Sequence, residues 1–205
     1  MTKIVYKIGN CLDVKAGVLA HACNTEAVMG SGVALYLAKK YPQAESSYKS
    51  YLFNIEKDIR AKLLDFLEAP LETIEEKIKA YSRKASLGGV DFVEINPELE
   101  IANMITQYLE DRFNGKPTSL EAIESCLKNL NSRLNSRKEK GLSTELHMPL
   151  ICAVRGGVDW TITRAMIEHY ITAASSITVW ILSQEAKKFE EKGWVHFTSY
   201  QEDLI

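Results

Sequence analysis

Two stretches of this chain combine glycine, a helix start and polar side chains as a phosphate-binding turn requires. The first is His21-Ala22-Cys23-Asn24 followed by Val28-Met29-Gly30-Ser31-Gly32-Val33-Ala34. Glycine lets the backbone approach a ligand closely and take conformations barred to other residues. The helix that opens behind it offers unpaired N–H groups and the positive end of a dipole. Such a junction can hold a phosphate or diphosphate with no net positive charge. The second stretch is Met148-Pro149-Leu150-Ile151-Cys152-Ala153-Val154-Arg155-Gly156-Gly157-Val158-Asp159-Trp160, again strand, glycine-bearing loop and helix, with Asp159 at the N-cap. One such loop is as well explained by a plain tight turn. Two of them facing the same edge of a sheet would bracket a diphosphate from both sides. His21 adds a group that titrates near neutrality and can serve as general acid, general base or nucleophile. The alternative is a buried histidine hydrogen-bonded to backbone at a strand end. His147, His169 and His196 fall on strand or helix faces and read as structural.

The surrounding pattern supplies elements to carry these loops. Ile4, Tyr6 and Ile8 alternate with Lys3, Val5 and Lys7 until Gly9-Asn10 stops the run, which predicts a first strand. Gly17 to Ala22 is a short apolar run suited to the middle of a sheet. Ala34, Leu37, Ala38 and Tyr41 share one helical face, and Pro42 opens a helix towards Phe53. From Ile55 to Leu87 the chain reads as two charged helices parted at Pro70, with apolar positions at Ile59, Leu63, Phe66, Leu67, Ile74, Ile78 and Tyr81. Strands are expected over Val90–Ile95 and Glu100–Thr106, then a helix from Ser119 to Leu134 and a solvated basic connection from Arg133 to Gly141. Leu146–Ile151 and Ser176–Leu182 read as further strands, separated by a helix bearing Trp160, Ile167, Ile171 and Ala174. Lys187–Glu191 reads as a short helix and Trp194–Phe197 as an edge strand. Strands alternating with helices predict a largely parallel, helix-covered sheet.

The totals limit the function classes. A chain of 205 residues suits one domain, and 46% hydrophobic residues provide a sizeable core. A net charge of −2 argues against a generic electrostatic grip on nucleic acid. Cys11, Cys23, Cys126 and Cys152 have no metal-ligand spacing among themselves or with histidine, so neither a metal nor a cofactor is expected. Reduced thiols, no signal-peptide core and no apolar run near about 18 residues predict a soluble cytoplasmic protein without membrane contact.

Four segments together resemble the macro domain family: Ile4–Asp13, Leu19–Ala34 with Lys40-Tyr41-Pro42, Glu100–Gln107, and Met148–Trp160. The similarity covers roughly residues 3–53 and 88–182, and the helical stretch over 55–87 reads as an insertion in one domain spanning 1–205. The resemblance implies a three-layer α/β/α fold with a central mixed, largely parallel sheet. It also implies a site for ADP-ribose, and within the family it points to the branch of ADP-ribose-1″-phosphate phosphatases and small ADP-ribosyl hydrolases.

Carried over by position, Met29, Gly30, Ser31, Gly32 and Val33 would donate main-chain N–H groups to the diphosphate and distal ribose, and Asn24 would bond that ribose. Val154, Arg155, Gly156 and Gly157 would form the opposite wall. Adenine would lie near Gly9, Asn10 and Cys11, covered by Leu182 or Trp180. His21 would be the catalytic group of a phosphatase. Three departures stand out. Asn10 replaces an Asp that accepts from the adenine amino group. Cys152 and Val154 stand where relatives have glycines. Gln107 and Gly156 occupy the places of one hydrolase branch's Lys and Asp, so that mechanism is not expected. The resulting expectation is a phosphatase acting on ADP-ribose-1″-phosphate. The alternatives are a non-catalytic module binding ADP-ribose or a related nucleotide, and a hydrolase releasing ADP-ribose from modified macromolecules.

Overall fold

Alternate residues of the central strands divide between two hydrophobic clusters, which is why one sheet carries helices on both sides. The computed structural model describes residues 3–64, 71–115 and 118–197. The strands β1 (Ile4–Ile8), β2 (Gly17–Asn24), β3 (Val90–Glu94), β4 (Leu99–Gln107), β5 (Glu145–Met148) and β6 (Ser176–Ile181) form a sheet in the order β1-β6-β5-β2-β4-β3. Every pairing is parallel except β3 against β4. On one face, Val18, Ala20, Ala102, Met104, Leu146, Met148, Ile177 and Val179 pack against helices α5 (Leu120–Glu139), α6 (Trp160–Tyr170) and α7 (Ser183–Glu191). On the other, Leu19, Leu99 and Ile101 meet Leu37 of α1 (Gly32–Lys40) and Ala44 of α2 (Pro42–Leu64). Each fully buried Val, Leu, Ile or Met among these stabilises the fold by about 1.5–3 kcal/mol relative to exposure. The result is the expected three-layer α/β/α arrangement.

Helix α3 (Leu71–Ser86) lies against α2, burying Ile74 and Ile78. A short α4 (Leu109–Phe113) follows β4. Asp159 caps α6 by accepting from the Thr161 N–H at 2.8 Å, and the buried Trp160 next to it donates to Tyr6 Oη at 3.1 Å, tying α6 to β1. Among the described residues no helix is long and apolar enough to cross a membrane.

Several elements differ from the sequence reading. Helix α2 continues past Phe53 to Leu64, because nothing after Phe53 removes a backbone donor or forces a break. Pro70, Phe66 and Leu67 lie outside the described residues. Tyr81 is exposed, and Ser82 holds the inward position of α3 with its hydroxyl on the Ile78 carbonyl at 2.7 Å. The basic stretch Arg133–Gly141 is helical as far as Glu139, continuing α5, and Asn135 and Lys138–Gly141 are exposed as expected. Arg133 and Arg137 there converge on Glu100, which is 1% exposed. Strand β5 ends at Met148, where Pro149 withholds a donor. Trp194–Phe197 forms no strand; Trp194 stacks on Phe189, with ring centroids 5.7 Å apart.

Candidate functional site

The carboxyl ends of β1, β2, β5 and β6 open into one cleft of about 820 Å³, the position where open α/β sheets bind ligands. It brings together residues from both glycine loops. Gly9, Asn10, Cys11, His21, Asn24, Ser31, Gly32, Val33, Val154, Arg155, Gly156 and Leu182 all surround it, joined by Trp180 and Gln107. Three expected residues are elsewhere. Met29 is buried with Cys23, Tyr48 and Ile105, so its thioether packs beneath the loop. Gly30 and Gly157 do not line the cleft.

The first loop is held by its own polar groups. Asn24 Oδ1 accepts from the N–H groups of Glu26 (2.9 Å) and Val28 (3.3 Å), and Asn24 Nδ2 donates to the Val28 carbonyl at 2.7 Å. The Tyr48 hydroxyl donates to the Asn24 carbonyl from α2. The amide expected to bond a ribose is thus engaged in shaping the turn. Ala27 adopts φ +57°, a left-handed conformation disfavoured for a residue with a Cβ. Gly32, at φ +60°, starts α1 at the cleft.

The second loop wraps around Cys152, which sits at φ +60° where the resemblance led us to expect glycine. Its carbonyl accepts from Val158 N at 3.1 Å, and its thiol contacts Thr106 Oγ1 at 3.7 Å. Gly156 accepts from Thr118 N at 2.7 Å, and a Cβ there would come within 2.5 Å of Thr118 Oγ1. Thr118 Oγ1 in turn donates to Gln107 Oε1 at 2.8 Å. Arg155 then reaches across the mouth: its Nε, Cδ and Cζ lie 3.6–3.8 Å from where a Cβ on Gly32 would stand. No ion pair to Arg155 occurs among the described residues, so its guanidinium faces the opening uncompensated.

At the other end, Gly9 is closed in by the Trp180 ring, which a Cβ on Gly9 would meet at 3.0 Å. Trp180 Nε1 donates to His147 Nδ1 at 3.4 Å. Asn10 Oδ1 accepts from Leu12 N at 3.0 Å, capping the short 3-10 helix Cys11–Asp13, so its carbonyl already serves the backbone. Leu182 is 41% exposed beside Trp180.

His21 lies under the cleft floor and is 1% exposed. Its Nε2 is 2.6 Å from Asn103 Oδ1, an atom that can only accept, so Nε2 carries the proton. Asn103 Nδ2 donates to Asp91 Oδ2 at 2.9 Å and to the Ala44 carbonyl at 3.1 Å, and Ser47 donates to Asp91 Oδ1 at 3.0 Å. Asp91 was not singled out from sequence, and Asn103 only as part of a matching segment. The register that aligns His21 with Asn103 and Asn103 with Asp91 is a property of the sheet. The one local signal was Asp91 itself, a carboxylate between the apolar Val90 and Phe92 of β3. Burial lowers the His21 pKa to about 4, outweighing the Asn103 hydrogen bond that raises it. The imidazole is therefore neutral at pH 7. Burial also pushes the Cys11 thiol up to about 11 and Cys152 up to about 12, so neither offers a thiolate nucleophile to the cleft. Among the described residues no group of three or more His, Cys, Asp or Glu is placed to hold a metal.

No family model matches the chain. An ADP-ribose 1″-phosphate phosphatase of Lodderomyces elongisporus is 30% identical over 154 residues, spanning 75% of this chain and 81% of the relative. A DNA ADP-ribosyl glycohydrolase of Thermus aquaticus is 23% identical over 173 residues, or 84% of this chain; the match spans 39% of that longer protein. Among solved structures, a macrodomain protein from Streptomyces coelicolor superposes with a TM-score of 0.56 at 24% identity, covering 87% of this chain and 99% of the other.

Proposed function

Because the chain belongs to the macro domain family, we propose that its cleft binds ADP-ribose nucleotides and hydrolyses ADP-ribose-1″-phosphate to ADP-ribose and phosphate. The observation that carries this reading is the convergence of two glycine loops, from separate strand–helix units, with Arg155 lying over Gly32. The diphosphate would lie between the loops, receiving N–H groups from the start of α1. The end walled by Trp180 and Leu182 suits a purine face. The terminal phosphate would then sit under Arg155, whose charge offsets the negative charge on the phosphoryl oxygens as water attacks phosphorus and the P–O bond to the ribose breaks. The departing ribose oxygen takes up a proton.

We assign His21 a positioning role in place of the proton transfer expected from sequence. A ring 1% exposed, neutral and pinned to Asn103 supports the strand end from which Asn24 and the first loop depart. A second reading, release of ADP-ribose from modified DNA, is favoured by the Thermus aquaticus relative. Against it, Gln107 and Gly156 offer no group that ionises where the resemblance would place Lys and Asp.

The test is phosphate release from ADP-ribose-1″-phosphate by wild type, Gly32→Glu and His21→Ala. Turnover by wild type that Gly32→Glu abolishes supports the phosphatase reading. A His21→Ala enzyme that turns over slowly with an unshifted pH profile supports positioning; a shifted profile restores proton transfer. No release by wild type, with ADP-ribose still bound in calorimetry, leaves a binding module, and turnover of ADP-ribosylated DNA instead would establish the second reading.

A further inference from the structure

None of the described residues of the helical insertion surrounds the cleft, yet its last turns reach the segment that builds the cleft's first loop. Arg83, near the end of α3, places Nη2 2.7 Å from Glu26 Oε1 and 2.8 Å from Glu110 Oε2. The Arg83 and Glu26 side chains are 19% and 18% exposed, so water screens this pair less than an open surface pair. Glu26 is also bound on its other sides. Its Oε1 accepts from Thr25 Oγ1 at 2.7 Å and its Oε2 from Leu109 N at 2.8 Å. The Arg83 guanidinium packs over the Tyr108 ring, 5.2 Å from the centroid. One cation thus joins α3, the turn after β2 and the segment after β4.

Glu26 sits in the middle of the turn that Asn24 shapes, and its own N–H is one of the two that Asn24 Oδ1 accepts. The next residue is Ala27 at φ +57°. A non-glycine residue in the left-handed region persists only where its surroundings hold it there. We propose that Arg83 is a positioning residue: through Glu26 the insertion holds the Thr25–Val28 turn, and with it the ribose end of the cleft, in its binding conformation. Only the affinity part of this inference rests on the nucleotide reading given above.

Both carboxylates make their nearest approach to Nη2 of Arg83, so a lysine ammonium keeps the charge they face, though not the packing on Tyr108, where alanine keeps neither. The experiment compares wild type, Arg83→Ala and Arg83→Lys by amide hydrogen exchange, thermal unfolding and calorimetry with ADP-ribose. Arg83→Ala is expected to speed exchange of the Glu26 and Val28 amides on the order of tenfold and to weaken ADP-ribose about tenfold. Arg83→Lys should restore most of both, while exchange in α2 and β2 stays as in wild type. A merely structural role would raise exchange throughout α2 and α3 and lower the melting temperature in step with affinity, which would overturn the proposal. Unchanged exchange at Glu26 and Val28 would also overturn it, as would faster exchange without loss of affinity in a protein that binds ADP-ribose. If wild type binds no ADP-ribose, the nucleotide reading fails, and the exchange measurement alone decides whether Arg83 holds the turn. Should Arg83→Ala fail to fold, Glu26→Gln removes the same ion pair and is expected to give the same local exchange.

Discussion

At the scale of single residues, His21 couples the fold to pH. Burial holds its folded-state pKa at about 4, below the ordinary value of 6.5 that it regains on unfolding. Between those values the unfolded chain binds the extra proton, so stability rises with pH. The contribution is fully present above pH 6.5 and is lost as pH falls from 6.5 to about 4, by roughly 3 kcal/mol at most. Denaturant titrations at pH 7 and pH 5 should show the loss in wild type and a smaller one in His21→Gln, which carries no titrating group. Equal losses in both proteins would mean that other groups dominate acid sensitivity. Gly156 makes a second residue-scale case. Its missing Cβ leaves room for the Cys152 carbonyl oxygen and for Thr118 Oγ1, both within 2.5 Å of where that atom would lie. Gly156→Ala should therefore cost about 1–3 kcal/mol in thermal or chemical unfolding, as overpacking does. It should also weaken nucleotide binding by displacing the second loop. A variant of native stability and affinity would mean that the Cys152 carbonyl and Thr118 both yield without effect.

Among the elements, the end of α5 shows what periodicity hides. Arg133 and Arg137 are four residues apart, which in a sequence reads as a solvated face. Both close on Glu100 because β4 runs beneath the helix, and Arg137 is itself 4% exposed. Removing one partner strands buried charge, so Glu100→Ala should destabilise the fold by about 3 kcal/mol in urea unfolding. A loss under about 1 kcal/mol would place these arginines back in solvent. The six strands of the sheet, the helix starts at Gly32 and Trp160 and both glycine loops were legible because their cues are local: alternation, a cap at Asp159, glycine beside an apolar run. The same alternation misled at Trp194–Phe197, which forms no strand. The Asp91–Asn103–His21 row was not, since it exists only once β3, β4 and β2 lie in register. The same holds for Asn24 and Asn10. Their residue types fit ligand contacts, but their oxygens are spent on backbone N–H groups that only the folded turns bring to them. Met29 fits a loop contact by position, and the structure turns it inward onto Tyr48.

Over the whole molecule, the cleft depends on two loops that the chain delivers from opposite sides of β4 in sequence, and Arg155 is the side chain that spans them. A ligand lying between the loops stabilises both together, by about 2.7 kcal/mol at a hundredfold excess over its Kd. Hydrogen exchange should accordingly slow at Gly32 and Gly156 in the same titration. The position of Arg155 also makes a statement about which ligand is preferred. Its guanidinium has no carboxylate partner among the described residues and crosses the mouth above Gly32, so it should act on an anion at the end of the ligand. A charge-assisted hydrogen bond of this kind stabilises by about 1.5–3 kcal/mol, which is on the order of tenfold to a hundredfold in affinity. Calorimetry on Arg155→Ala should therefore show ADP-ribose-1″-phosphate weakened by that factor and ADP-ribose changed by less than about threefold. Equal weakening of the two ligands would put the guanidinium on the diphosphate they share. The basis for favouring the phosphorylated substrate would then have to be sought on the first loop, at the turn that Glu26 and Arg83 hold.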